Sequence, residues 1–466
     1  MPTMLSTLAA LLLLRPAVPA QDTFEQALKS SFEKSGVPGA AVGVFKDGKL
    51  IYSRAFGVAD ETKKKPLTAE MQFEIGSLSK AFTAFSLLLL VKEGKLSLTE
   101  KLGDILSGLP ESWRTATVEQ TLHHMSGIPD YEEIAGYDFY NKPREPKEII
   151  DSAATKPLDF PHGAKYSYSN TGYFLLSMVL ETKSGMPSGK FLEERVFKPL
   201  GMTQTYASTI PANADVPIGY HSRSGKRVAQ PPIAWTSTLG AGGIVSTMRD
   251  LGKWDEALYT EKLLPANLRD KLFETTKTTT GEPVAYGFGW VMGMYRGIAR
   301  QNHSGQTNGF TCVIHRFPSL HYTVIAFTNT YGGGVVFPLS GLAMAHFEPK
   351  LSYKSLPIPT DPDPERTKRH MQAMRQALFA EGDMAMLRQG LKDFATKPEF
   401  AKDRDEAKAT LTGMKAFQFI RQSTRKNTAG QEIEEYFYRL DSEGGTYFWT
   451  LRFIEGLLAG LNWEVE

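Results

Sequence analysis

Between residues 77 and 92 the chain places Phe82, Phe85, Leu87, Leu88, Leu89, Leu90 and Val91 on a helix-forming run, so apolar side chains cover nearly its whole circumference. A helix of that kind offers no face to water and has to be wrapped by other elements. The chain is thereby committed to a large domain with this segment running through it. At 466 residues it suits one such domain plus a smaller one. Hydrophobic residues at 41% and charged residues at 22% are ordinary globular values, so composition keeps no long stretch unfolded.

The same run opens with Gly76-Ser77-Leu78-Ser79-Lys80. With Ser77 at the helix start, Lys80 lies one turn on and on the same face. A serine hydroxyl is a weak nucleophile without an adjacent base, and a lysine kept from water can be that base near neutral pH. A serine N-cap followed by a surface lysine has the same spelling. The meaning of the pair therefore depends on what the rest of the chain supplies.

Residues 22–35 carry Phe24, Ala27, Leu28 and Phe32 at helical spacing, and Gly36-Val37-Pro38-Gly39 stops the helix. Residues 40–45 and 50–56 are strand-like runs around Asp47-Gly48, a hairpin signal. From 94 to 259 the pattern is mostly helical, with helices expected over 118–125, 146–155, 172–184, 189–196 and 248–258. Strand character returns at 286–293, 297–301, 309–315 and 322–329, and a helix follows over 335–346. This order predicts an α/β (α+β) fold over residues 22–348. One mostly antiparallel sheet is formed from both chain ends and flanked by helices, and a mostly helical subdomain lies between them. Pro357, Pro359, Pro362 and Pro364, with Pro349 just upstream, mark a semi-rigid linker over 349–364. Beyond it, 365–466 reads as a small α+β domain with helices over 365–380, 383–394 and 399–411 and strands over 416–423, 432–440 and 446–453.

Lys+Arg number 53 against 51 Asp+Glu, a net charge of +2 with no basic block, which argues against a nucleic-acid partner. The single cysteine, Cys312, excludes an intramolecular disulfide and a cysteine-based zinc cluster. It lies in the apolar run 310–314, where a thiol is a buried, inert side chain. No metal-ligand cluster stands out, so neither metal nor cofactor is expected. An apolar run over 5–14, then Val18 and Ala20, fits a signal peptide over 1–20 cleaved after Ala20, and hence export to a periplasm or cell surface. No lysine or arginine precedes that run and Arg15 interrupts its end, so a disordered or membrane-tethering leader is the other reading.

Two further clusters supply what the first lacks. Tyr166-Ser167-Tyr168-Ser169-Asn170 stands at a helix entrance. A tyrosine beside a lysine that keeps its phenol partly ionised can exchange a proton with a serine hydroxyl or a leaving group. Asn170 can orient a substrate carbonyl or hold Lys80. At the junction of two strands, His303-Ser304-Gly305-Gln306 offers a glycine that lets a substrate backbone approach and a following N–H, on Gln306, that can point at an oxyanion.

In this order, Ser-x-x-Lys, Tyr-x-Asn and His-x-Gly resemble the serine β-lactamase and penicillin-binding-protein superfamily, specifically its class C β-lactamase-like branch. Three further stretches are similar to that branch: 122–131 (LHHMSGIPDY), 197–202 (FKPLGM) and 240–247 (GAGGIVST). The resemblance covers about residues 22–347 and leaves the C-terminal piece unassigned. It implies a covalent acyl-enzyme cycle with Ser77 as nucleophile and Lys80 and Tyr168 sharing the proton traffic. The N–H groups of Ser77 and Gln306 would form the oxyanion hole, and Asn170, His303, Ser304 and Gly305 would hold the substrate. Where class C enzymes carry Lys-Thr-Gly, this chain carries His303-Ser304-Gly305, so a titrating imidazole replaces a permanent cation. With DD-peptidase, D-aminopeptidase and esterase relatives in the branch, the resemblance implies D-residue peptides or small esters as substrates, with β-lactam hydrolysis incidental. A penicillin-recognising binding or scaffold protein with little turnover is the competing expectation. In either case the C-terminal domain is a place for a cell-wall or protein partner.

Overall fold

The computed structural model describes residues 20–223, 226–426, 431–443 and 445–465. The expected signal peptide lies, but for Ala20, outside the described residues. The chain divides into two units, one running through Gly293 and including Ala299–Ala343, the other made of Met294–Ile298 and the residues from Met344 onward. Among the described residues no helix is long and apolar enough to cross a membrane.

In the first unit, helix α1 (Ala20–Ser35) leads into β1 (Gly39–Lys46) and β2 (Lys49–Asp60). Asp47 and Gly48 both have positive φ, 50° and 71°, as a two-residue hairpin turn demands. After the short β3 (Lys65–Pro66), the sheet waits more than 200 residues for β4 (Val291–Tyr295), β5 (Ile298–Gln306), β6 (Thr311–Phe317) and β7 (Tyr322–Thr328). The order is β4-β5-β6-β7-β1-β2-β3, one sheet made from both ends of the unit. β1 pairs antiparallel with β7, Ala40 opposite Thr328, and β6 pairs antiparallel with both β5 and β7. Every residue of β6 and β7 is buried, as is β1 up to Phe45. These central strands are covered on both faces, which is why they read as near-continuous apolar runs rather than alternating ones.

The all-apolar helix is α2 (Ser79–Lys92), buried at every position from Ser79 to Leu90. It packs against α3 (Asn170–Ser184), and Phe82 stacks on Trp254 of α4 (Met248–Ala257) with ring centroids 4.2 Å apart. Each leucine so enclosed contributes roughly 1.5–3 kcal/mol. The α-helix begins later than the spacing predicts, because Gly76–Leu78 forms a 3-10 turn and Ser77 sits in that turn. The cause is β5: Gly76 has φ +50°, and a Cβ there would lie 2.5 Å from the Gln306 carbonyl oxygen and 2.6 Å from its nitrogen. In a 3-10 turn, side chains three apart eclipse, so the serine and lysine still face the same way.

In the second unit, helices α5 (Pro364–Phe379), α6 (Gln389–Thr396) and α7 (Ala401–Thr410) cover one face of a four-stranded antiparallel meander. Its strands are β8 (Ala416–Lys426), β9 (Glu432–Ser442), β10 (Gly445–Ile454) and β11 (Leu457–Val465). The sequence pattern does not mark the last strand, because Leu457-Leu458 and Gly460 break the alternation a strand should show. A bulge between Arg452 and Phe453 and the pairing of Trp449 with Trp463 set its register. The proline-rich stretch is folded onto this unit. It makes 3-10 turns at Pro349–Leu351 and Tyr353–Ser355, Tyr353 stacks on Phe448 at 4.5 Å, and Pro364 serves as the first residue of α5.

Candidate functional site

Within residues 71–90 every side chain is buried except that of Ser77, which keeps partial exposure. The hydroxyl is thus the point at which a closed core opens to solvent. Gly76 and Gly305 let the backbone of β5 lie directly on the turn that carries it. A Cβ on Gly305 would sit 1.9 Å from the Ile75 carbonyl oxygen. This contact brings the peptide of Gln306 beside that of Ser77, as the pattern of an oxyanion hole requires.

Lys80 is fully buried, and its Nζ has three acceptors: Ser77 Oγ at 3.1 Å, Asn170 Oδ1 at 2.7 Å and the Ala241 carbonyl at 2.8 Å. An ammonium fills all three with its protons. A neutral amine spends two N–H bonds on Asn170 and Ala241 and is left with its lone pair toward Ser77. Burial pushes the lysine down to about 7, opposed by the charges of Glu132 and Asp130, so the neutral form is within reach at ordinary pH.

Tyr168 lies over this ammonium, with Nζ 4.8 Å from its ring centroid. The expectation of a partly ionised phenol is corrected here, because burial raises Tyr168 well above the ordinary tyrosine range even though the Ser77 hydroxyl acts to lower it. Its buried hydroxyl makes no hydrogen bond of normal geometry, so it is a neutral O–H free to turn toward a reacting atom. The imidazole of His303 differs from expectation as well. It is buried, its Nδ1 donates to the Ser304 carbonyl at 2.6 Å, and its Nε2 accepts from the Tyr286 hydroxyl at 3.0 Å. Burial and the neighbouring Lys80 hold it down to about 4. The ring is a neutral wall of the site, and within His303–Gln306 it is Ser304 and Gln306 that remain exposed.

Asn170 heads α3, where Ser169 caps the helix by accepting from Gly172 N–H. Its Nδ2 donates to Asp130 Oδ2 at 3.0 Å and to Glu132 Oε2 at 2.9 Å, which leaves Oδ1 for Lys80. Sequence reasoning missed these carboxylates, the Ala241 carbonyl, His124 and Tyr286. For Asp130, His124 and Ala241 the signal was present in the stretches 122–131 and 240–247, which resembled the branch but carried no assigned role, whereas Glu132 and Tyr286 lie outside both. The structure gives those two stretches a role. Carbonyls of His124, Met125, Gly127, Ile128 and Pro129 all accept hydrogen bonds from residues of the 159–171 segment. His124 also receives the Ser169 N–H on Nδ1 at 3.0 Å, and its ring lies 4.2 Å from that of Tyr168. The LHHMSGIPDY stretch is the bed on which Tyr168 and Asn170 are laid. Among the described residues no group of three or more His, Cys, Asp or Glu is arranged to hold a metal ion.

The family model for β-lactamase matches residues 21–345. A penicillin-binding protein of Bacillus subtilis (strain 168) is 32% identical over 304 residues, 60% of this chain and 66% of that protein, so just under two thirds of the relative's length is spanned. Among solved structures, D-amino acid amidase from Ochrobactrum anthropi SV3, complexed with D-phenylalanine, is 26% identical with a TM-score of 0.61, covering 69% of this chain and 98% of that one. The octameric penicillin-binding protein homologue from Pyrococcus abyssi shares the fold over 96% of both chains, at 21% identity and a TM-score of 0.63. With a family match across the whole first unit and the serine, lysine, tyrosine and asparagine gathered at one opening, the chain belongs to the β-lactamase family.

Proposed function

We propose that this chain is a serine hydrolase that cleaves an amide or ester bond through an acyl-enzyme. The observation that carries the reading is the 3.1 Å approach of Lys80 Nζ to the partly exposed Ser77 hydroxyl, with the other two amine positions already occupied. Neutral Lys80 takes the Ser77 proton as Oγ bonds to the substrate carbonyl carbon. The carbonyl oxygen becomes an oxyanion between the N–H groups of Ser77 and Gln306. On collapse the C–N or C–O bond breaks, and the leaving amine or alcohol receives its proton from Lys80 by way of the Tyr168 hydroxyl. Water, giving a proton back along the same path, then releases the acid and restores Ser77.

The likeness to a D-amino acid amidase supports a D-residue amide or peptide, with small esters as simpler substrates of the same chemistry. A neutral His303 offers no fixed cation to a β-lactam carboxylate, which is why β-lactam turnover is placed as incidental. The apolar leader ending at Ala20 supports export, checked by N-terminal sequencing of the protein recovered from its native cell envelope. A chain retained inside the cell with Met1 intact overturns that part.

The test of the activity is labelling by a fluorophosphonate, together with turnover of p-nitrophenyl esters, D-alanyl amides and nitrocefin. Ser77→Ala should lose both label and turnover while keeping its thermal transition. Full activity in Ser77→Ala removes the nucleophile assignment. A stable adduct that never releases product converts the enzyme into a binding protein.

A further inference from the structure

Lys80 is not the last member of the chain of hydrogen bonds that begins at Ser77. Behind it stands Asn170, and behind Asn170 stands a carboxylate on a different loop, 40 residues away in sequence. Asp130 is buried and fully engaged: Oδ2 accepts from the Asn170 backbone N–H at 3.1 Å and from its Nδ2 at 3.0 Å, while Oδ1 accepts from the Glu132 N–H at 3.0 Å. Because a carboxylate can only accept, this contact fixes which end of the Asn170 amide faces which neighbour. Turned the other way, Nδ2 would confront Lys80 Nζ, donor against donor, and the amine would lose the contact that aims it.

We propose that Asp130 is a positioning residue of this site: gripping Asn170 at its backbone N–H and its side-chain amide, it holds the amide oxygen on Lys80 and shares with Glu132 the negative charge against which Lys80 exchanges its proton. The arrangement has the logic of a nucleophile and base aligned by a third group, with an amide placed between base and carboxylate. It rests on the reading of Ser77 and Lys80 as nucleophile and base.

The other groups around Lys80 do not supply that charge. The rings of Tyr168 and Tyr173 face it from the 168–173 segment, both held protonated by burial. His303 on β5 and His124 on the loop before Asp130 feel the lysine and are kept neutral by burial. Asp130 and Glu132 are the carboxylates that act on it, both raising its proton affinity. Glu132 also holds Asn170 Nδ2 and is itself bonded by the Tyr140 hydroxyl, so it assists without contacting the Asn170 backbone.

The experiment is the pH dependence of Ser77 labelling by a fluorophosphonate in the full-length protein, for wild type, Asp130→Asn, Glu132→Gln and Thr171→Val. Thr171 ties the same loop to α3, accepting from Tyr131 N–H and donating to the Pro129 carbonyl, but offers no charge. Asp130→Asn should move the acid limb of the labelling rate down by about one pH unit and lower its plateau roughly tenfold. Glu132→Gln should move the limb in the same direction by at least as much, because its charge acts on Lys80 more strongly than that of Asp130, but should lower the plateau less, since the grip on the Asn170 backbone is intact. If Asp130→Asn does not fold, Asp130→Glu, which keeps the charge and displaces the grip on Asn170, should lower the plateau with the limb in place, and an unchanged plateau overturns the role of Asp130. Thr171→Val should lower the melting temperature and leave the limb where it is. An unmoved limb in a folded Asp130→Asn, or an equal shift in Thr171→Val, overturns the role of Asp130 alone. No labelling of wild type at any pH overturns the serine-hydrolase reading and this role with it.

Discussion

Replacing Gly76 by alanine tests the site at its tightest point. The residue has φ +50°, where a side chain costs about 1–2 kcal/mol. The new Cβ would also lie 2.5 Å from the Gln306 carbonyl oxygen and 2.6 Å from its nitrogen, whereas ordinary contact begins at 3.4 Å. Either β5 or the Ser77 turn has to retreat by roughly 1 Å, and both partners are backbone, so no side chain can absorb the shift. A misplacement of about 1 Å between catalytic groups is worth on the order of 10²-fold in rate, or about 2.7 kcal/mol at the transition state. The expected outcome is therefore a fall of about 10²-fold in kcat/KM on p-nitrophenyl acetate and a parallel fall in Ser77 labelling. At the stability cost above, the melting temperature should drop by roughly 1–3 °C in a domain of this size. Rates within twofold of wild type, with an unchanged melting temperature, would refute the claim that the β5 contact sets the geometry of Ser77.

The titration of Lys80 gives a second measurement. Only the neutral amine accepts the Ser77 proton, so the labelling rate should be lost as pH falls through the lysine's value, with an acid limb near pH 7. A flat profile from pH 5 to 9 contradicts that assignment. His303→Gln should not remove any ionisation from the profile between pH 5 and 8, since the imidazole is already neutral down to about 4. Disappearance of a limb near 6.5 would return His303 to the titrating role its motif suggests.

What the sequence disclosed follows from distance along the chain. The Ser77–Lys80 relation is local, three residues on a helical path, and it survives the change from α-helix to 3-10 turn because both geometries put those side chains together. The buried helix, the hairpin at Asp47-Gly48 and the return of strands after residue 286 are likewise carried by short-range pattern. The strand Leu457–Val465 was not, since its register comes from the neighbouring strand and not from its own alternation.

The harder loss concerns charge. Tyr168 beside a lysine suggests a phenolate, and His303 in place of a lysine suggests a pH-sensitive cation, yet both arguments treat the neighbours as if they stood in water. Once the groups are enclosed, the penalty on forming a charge exceeds the attraction of any one partner, and both stay neutral. The negative charge near Lys80 comes from Glu132 and Asp130; burial raises Asp130 to about 6, against the pull of the three N–H groups that its oxygens accept. From the sequence, Asp130 is one acid in 51 Asp+Glu. Its importance arises from the folding of the 124–131 loop against the 159–171 segment, which converts a separation of 40 residues into a contact of 3.0 Å. Motifs that resemble a family thus name the atoms that react, whereas the ionisation of those atoms is set by burial and by two carboxylates, Asp130 and Glu132, that only the assembled loop brings near.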